Sequence, residues 1–322
     1  MAMAMWHMPD RQNLRTAFGG VLKESEPLSR YTSSRIGGPA ELLAIAESAD
    51  QLAEMVRTAW RFGVKTFVMG SGSNILVSDA GIRGLVIVNR AQGLEFREAG
   101  DLMTLRAESG ALFATLGRQC VQRGWAGLEW AVGIPGTVGG AIYGNAGAHG
   151  GETGRHLRMA EILQPDGMVR TWTRDDLAFG YRSSALKRHG ADQTNGRVPT
   201  SIILAAEFAA TRADPQVLQL RADELLARRK RTQPPGASMG SVFKNPPGDH
   251  AGRLLEAAGL KNTGIGNAEI SGHHANFIIN LGNARASDVF ALIHLAHEAV
   301  KEKFGIDLEL EVELVGEWGG QC

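Results

Sequence analysis

Residues 133–152 read GIPGTVGGAIYGNAGAHGGE, eight glycines in twenty positions, with Ile134, Val138 and Ile142 keeping apolar side chains at intervals among them. A turn needs one or two glycines. A run this dense lets main chain lie against a ligand over a long arc, because each absent Cβ lets N–H groups close on an oxyanion or a flat ring. The stretch predicts a backbone wrapped around a large flat ligand that carries a diphosphate. Upstream, GSGSN (70–74) follows the apolar run VKTFVMG and has the same property on a smaller scale, although five small residues after a strand are equally a plain turn. Neither is a familiar nucleotide loop, since the chain has no G-x-x-x-x-G-K-[ST] and no G-x-G-x-x-G.

The bulk properties narrow what surrounds these loops. At 322 residues the chain suits two or three lobes. Lys+Arg and Asp+Glu stand at 34 each, so no global field favours nucleic acid or an anionic membrane, and any anion must be met by local groups. Cys120 and Cys322 give neither a disulfide framework nor metal spacing and fit a reducing compartment. The start, MAMAMWHMPDRQ, has no signal-peptide pattern, and no stretch approaches a membrane span, so a cytoplasmic protein is expected.

Outward from the glycine run, SADQLAEMVRTAWRFG (48–63) predicts a helix with an S-x-x-Q capping box, Leu52, Met55, Val56, Ala59 and Phe62 on one face, and a stop at Gly63. VKTFVMG, ILVS, GLVIVN and LMTLRAESG read as strands, and a helix follows from Ala111 to Gly124. After the glycines, AEILQPDGMVRTWT reads as a hairpin closed by a two-residue Asp166-Gly167 turn. IILAAEF is a buried strand. Asp214-Pro215 opens a long helix through QVLQLRADELLARRKR. An α+β unit of about one hundred residues ends the chain: a helix at AGRLLEAAGL, a strand at ANFIIN, a helix from Ser287 to Phe304 and a strand at DLELEVELVG.

Several side chains invite a chemical reading beside a plain one. Ser241, in GASMGSVFKNP (236–246), is no acyl-transfer nucleophile, because Phe243 stands where G-x-S-x-G needs glycine; on these residues alone it reads as a turn hydroxyl capping a backbone group. Arg182 in FGYRSS either snorkels from a strand end or meets an anion. Glu309, Glu311 and Glu313 alternate with apolar residues, as one solvated face of a strand does. Arg228, Arg229, Lys230 and Arg231 complement a helix C-terminus or contact a diphosphate. His294 and His297 stand three apart with no third ligand in register, and neither they nor His273-His274 receive a metal.

Taken in order, LSRYTSSRIGGPA, GSGSNILVSDAGIRGLVI, GIPGTVGGAIYGNAGAHGGE, FGYRSS, RKRTQPPGASMGSVFKNP, HHANFIIN and FGIDLELEVELVG resemble the UDP-N-acetylenolpyruvoylglucosamine reductases, flavoproteins of the vanillyl-alcohol-oxidase-like type that act in bacterial cell-wall synthesis. The resemblance runs from about residue 28 to 317. It implies an α+β fold in which a two-lobed FAD-binding domain (28–97 and 98–213), after an N-terminal extension (1–27), precedes a C-terminal substrate-binding domain (214–322). FAD would be bound without a covalent link by Gly70, Ser71, Gly72, Ser73, Asn74 and Ile75 in the first loop. In the second loop the contacts would be Gly133, Pro135, Gly136, Thr137, Gly139, Gly140, Asn145, Ala146 and Gly147. NADPH would be the co-substrate, leaving before the enolpyruvyl sugar nucleotide enters. No metal, nucleic acid or membrane is implied.

The matching positions also receive roles. Hydride reaches the terminal alkene carbon and a proton the carbon beside the carboxylate, so Ser241 becomes a general acid. Arg182 stabilises the enolate-like intermediate, and Glu311 is held protonated so that it donates a hydrogen bond to the developing charge instead of repelling it. Tyr181, Lys244 and Asn245 are expected to contact substrate. The short connection between Arg182 and Ile202 resembles the subgroup without an additional tyrosine-bearing loop. Ser34 stands where a bulkier residue is usual, and Leu310 and Glu313 where Pro and Arg are common. A lactone or hydroxy-acid oxidase on the same fold, and a flavin binder without turnover, are the competing readings.

Overall fold

The computed structural model describes residues 8–100, 102–191 and 201–318. These fall into two compact units, one of residues 8–26, 40–70, 83–100, 102–191 and 201–218, the other of 27–39, 71–82 and 219–318.

In the first unit, helix Ala49–Arg61 begins where Ser48 Oγ accepts the Gln51 N–H at 3.1 Å. The return bond of the expected capping box reaches one residue further back, Gln51 Oε1 accepting from Glu47 N–H at 2.7 Å. Leu52, Val56 and Ala59 are wholly buried and share a core with Leu42, Ala44, Leu85 and Ile87 of a four-stranded sheet. Each such leucine or valine contributes about 1.5–3 kcal/mol relative to an exposed position. The sheet order is Lys23–Pro27, Pro39–Ala46, Ile82–Asn89, Thr66–Met69. Helix Met8–Phe18, inside the expected N-terminal extension, sends Leu14 into the same core.

The larger sheet is antiparallel, in the order Val169–Thr173, Leu157–Leu163, Ile202–Arg212, Leu102–Glu108, Leu94–Ala99, with Trp125–Ala126 joined to the end of Ile202–Arg212. The expected lobe boundary at 97/98 falls inside Leu94–Ala99, which pairs with Leu102–Glu108 along its length. The hairpin at Asp166-Gly167 is not closed by two residues. Leu163 pairs with Val169, the Gln164 N–H donates to Met168 O, and the Gly167 N–H donates back to Gln164 O. Only Gly167 takes positive φ, +81°. Pro165 pre-sets the first central position of a type I turn, and the glycine completes a three-residue loop.

The second unit gathers distant segments for a reason visible in its bonds. Ile75–Val77 pairs in parallel with Glu313–Val315, the Gly38 N–H donates to Ser78 O, and Ile36 and Leu76 lie in the core with Leu254, Val289 and Leu292. A three-stranded sheet, Gly264–Ile265, Ala268–Ile270 and Ile278–Asn280, accompanies helices Ala251–Ala257 and Ala286–Phe304. The longer helix is capped from afar: Asp79 accepts the N–H groups of Ala286 and Ser287 at 2.8 and 3.0 Å. Burial raises the Asp79 pKa, but these bonds and nearby Arg285 outweigh it and leave the carboxyl below its ordinary range.

DLELEVELVG is not one strand. Leu310 bridges Phe243, then the N–H groups of both Glu311 and Val312 point to Val242 O at 2.8 and 3.3 Å, and pairing with Ile75–Val77 begins at Glu313. Two residues opposite one form a bulge, which turns the chain from one partner to the next.

Candidate active site

In the second unit Gly240, with φ +82°, turns the chain into Ser241, which bridges Phe277. Beyond Ser241 every main-chain group of the next two residues is held. The Val242 N–H donates to Asn276 O at 2.9 Å, and Val242 O accepts from Glu311 at 2.8 Å. The Phe243 N–H and C=O meet Asn276 Oδ1 and Nδ2 at 2.9 and 2.8 Å. Glu311 is thus brought opposite the residue that follows Ser241. Its own carbonyl accepts from Asn74 Nδ2 at 2.9 Å, and Asn74 O accepts the Glu313 N–H at 3.0 Å. Asn74 therefore directs its amide at Glu311. Glu309 is largely exposed and pairs with Lys244, Nζ to Oε2 at 2.8 Å; Asn245 Oδ1 accepts the Ala251 N–H at the start of a helix.

Ser71–Asn74 is fixed from behind: Gly72, at φ +58°, accepts from Ser33 N–H at 3.1 Å, and the Ser33 hydroxyl donates to Ser238 O at 2.7 Å. Ile75 then enters the strand paired with Glu313. Ser71 Oγ is buried without a hydrogen-bond partner among the described residues, which suits a phosphate oxygen. Ser34 Oγ is buried in the same way; a bulkier apolar residue there would avoid leaving a polar atom unpaired.

The first unit holds Gly70 and the long glycine run. A Cβ on Gly70 would lie 2.3 Å from Thr137 Oγ1, and one on Gly139 would lie 3.1 Å from Ser109 Cβ. A larger residue at 70 would force Thr137 to move, and one at 139 would press on Ser109. Gly136, at φ +109°, follows Pro135 and leads into Thr137, which caps helix Val138–Tyr143 by accepting from Gly140 N–H at 3.4 Å. Gly133 closes the preceding short helical turn, Glu129–Gly133. Asn145, buried and at φ +43°, spends its amide on Gly180 O and Gly154 N–H, while Ala146 is held by Ala141 and Thr153. These bonds carry the glycine run to the tight turn 180–183, where Gly180 and Ser183 exchange main-chain bonds. Arg182 sits there at φ +52°, its Nη1 donating to Gly147 O at 2.9 Å. Tyr181 is 58% exposed beside it.

Of the remaining candidates, Arg229, Lys230 and Arg231 lie in the last turn of helix Pro215–Thr232, and burial lowers the Arg229 pKa. His297 is bonded to Asp307 at 2.7 Å and to Glu298, His294 is exposed, and His273 contacts Arg231 O. No three potential metal ligands cluster among the described residues. No helix there is long and apolar enough to cross a membrane. Asn276 carries no sequence signal of its own beyond its place in HHANFIIN; its partner lies 33 residues away.

Comparison with known proteins adds names. The C-terminal domain of UDP-N-acetylenolpyruvoylglucosamine reductase matches residues 232–315, and an FAD binding domain matches 40–173. A UDP-N-acetylenolpyruvoylglucosamine reductase of Chloroflexus aggregans is 46% identical over 295 residues, 92% of this chain and 98% of its own. That of Rubrobacter xylanophilus is 44% identical, covering 92% and 95%. The crystal structure of the reductase from Thermus caldophilus superimposes with a TM-score of 0.75 at 33% identity, over 91% of this chain and 97% of that one.

Proposed function

Because the chain belongs to the UDP-N-acetylenolpyruvoylglucosamine reductase family, we propose that Ser241, Glu311 and Arg182 are the groups with which it carries out that family's reaction. It is an FAD-dependent oxidoreductase of peptidoglycan precursor synthesis, taking UDP-N-acetylglucosamine enolpyruvate to UDP-N-acetylmuramate with NADPH as co-substrate. The fold joins an FAD-binding domain to the reductase C-terminal domain; the former would be two-lobed, as in the vanillyl-alcohol-oxidase-like proteins.

Bound FAD supplies the hydride that reaches the terminal alkene carbon. The protein's residues handle charge and proton. Ser71 would donate to the diphosphate, and the main chain of Gly72, Ser73 and Asn74, and of the run from Gly133 to Gly147, would approach the cofactor where a Cβ is absent or excluded. The segments 28–97 and 98–213 would serve as flavin lobes and 214–322 as the substrate domain, with 71–82 packed into the latter unit.

Ser241 gives its hydroxyl proton to the carbon beside the substrate carboxylate. Arg182 stabilises the negative charge on that carboxylate, and Glu311, protonated, donates a hydrogen bond to it. The observation that carries this reading is the main-chain bond from Glu311 to Val242, which fixes the glutamate opposite the serine's neighbour. Tyr181, Lys244 and Asn245 would contact the substrate, Lys244 by exchanging its surface partner Glu309 for an anion, at little cost because exposed ion pairs contribute only about 0–1 kcal/mol. The same reading places the enzyme in the cytoplasm, where NADPH is kept reduced.

The test is anaerobic mixing. Purified protein should be yellow, release free FAD on denaturation, bleach with NADPH, and regain colour with the enolpyruvyl nucleotide. Bleaching without recovery would argue for a different oxidant and against these residue roles.

A further inference from the structure

HHANFIIN (273–280) belongs to the motifs that mark the family, yet the reaction described above uses none of its side chains. Asn276 is 4% exposed, and its groups are spent almost entirely on the two residues after Ser241. Its Oδ1 accepts the Phe243 N–H at 2.9 Å, its Nδ2 donates to Phe243 O at 2.8 Å, and its main-chain O accepts the Val242 N–H at 2.9 Å. Its own N–H donates to His274 Nδ1 at 3.2 Å. A side-chain amide bonded to both polar groups of one residue replaces a neighbouring strand at the point where regular pairing stops.

The need for such a support follows from Ser241 itself. A serine hydroxyl has a single torsion between it and the main chain, so its position is set by the backbone. On one side stands Gly240 at φ +82°, a residue without a side chain to anchor. Besides the bridge of Ser241 to Phe277, the restraint comes from Val242 and Phe243. Glu311 and Val312 hold one edge of that pair, and Asn276 holds the other. Phe243 is itself buried at 2% exposure, so neither edge can be replaced by water without opening the core.

We propose that Asn276 is the positioning residue that aligns the Ser241 hydroxyl for proton delivery; the proposal rests on the assignment of Ser241 as the acid. Asn276→Ala should slow reoxidation of the reduced flavin by the enolpyruvyl nucleotide by roughly 10²-fold, the scale of a misplacement near 1 Å, while reduction by NADPH stays nearly unchanged. Amide exchange at Phe243 should quicken in the same variant. Asn276→Asp is the second arm: ionised, it places an oxygen against Phe243 O, and protonated, it restores one acceptor and one donor. Its reoxidation rate, read against wild type at each pH because His274 also titrates, should recover as pH falls, and that of Asn276→Ala should not. Equal loss in both half-reactions, or no recovery of Asn276→Asp in acid, would overturn the proposal. Ser241→Ala measured alongside separates the premise. Normal reoxidation there removes the acid assignment and the proposal with it, whereas a loss there with none in Asn276→Ala removes the positioning role alone.

Discussion

Ser241 and Arg182 are held by opposite means. The serine follows a glycine and precedes two residues whose N–H and C=O groups are all bonded, to Asn276 on one edge and, for Val242 O, to Glu311 and Val312 on the other. The arginine occupies a left-handed turn, φ +52°, and is tethered by its far end to Gly147 O. A short side chain can be no better placed than its backbone. A long one can tolerate an unusual backbone if its tip is tied. If Ser241 delivers the proton and Arg182 stabilises the charge, the first should be sensitive to main-chain support and the second to the geometry of its own head.

The sharpest way to break this comparison is Ser241→Ala. Reoxidation of the flavin by substrate should fall by about 10²–10⁴-fold, the contribution of a positioned general acid, with reduction by NADPH intact. Ser241→Cys, which keeps a donor, should recover part of it. Stopped-flow absorbance reads each half, and slowing of both would make Ser241 a structural residue of its loop.

Arg182→Ala should lower kcat by roughly 10²–10³-fold, as loss of one donor to a developing oxyanion does. Arg182→Lys keeps a cation on the same turn but loses the planar fork, so it should fall between wild type and alanine with flavin content unchanged. Lysine equal to arginine would show that the head group's shape is irrelevant. At Glu311 the expected loss on going to Ala is about 10–100-fold in kcat, one hydrogen bond to charge, and Glu311→Gln should be milder because it still donates. The reverse order would exclude a protonated glutamic acid.

The smallest effect tests support remote from the chemistry. Asp79 caps helix Ala286–Phe304, and Asp79→Ala should cost about 1 kcal/mol of stability, the usual value of a lost cap, with both half-reactions retained. The sign with pH is fixed. The folded Asp79 pKa lies below 3.8, so its contribution is present above that value and is lost as pH falls through the lowered pKa. Thermal melting from pH 6 to 3 should show wild type losing its advantage over the variant in acid.

Much of this organisation was legible because it lies in local chemistry. Ser48, Asp214 and Gly305 announce helix ends, and each does so in the fold. The glycine at 70 marks a place where a Cβ has no room unless Thr137 moves, and that at 139 a tight one. What escaped depends on distant partners. Lys23–Pro27 and Leu94–Ala99 are exposed edge strands that lack a buried face to reveal them. The break at Glu311 arises because its chain must serve Val242 and then Ile75, a change of partner that alternation cannot express. Pro165 overrode the familiar Asp-Gly signal. The partners of Asn276 and Asn74 were hidden for the same reason: an amide that holds main chain far along the sequence has no periodicity.

Strand Ile75–Val77 also sets a timetable for synthesis. Its parallel partner is Glu313–Val315, and the bond from Asn74 to Glu311 spans 237 positions. At about 5–20 residues per second a ribosome needs roughly 10–50 s to make that stretch, during which Leu76 and Val77, destined for the core, have no strand to join. The nascent chain must carry an unpaired apolar segment through most of its translation. A fragment begun at residue 214 would meet the converse problem, holding Ser241 and Glu311 but lacking the strand and the asparagine that pin the latter.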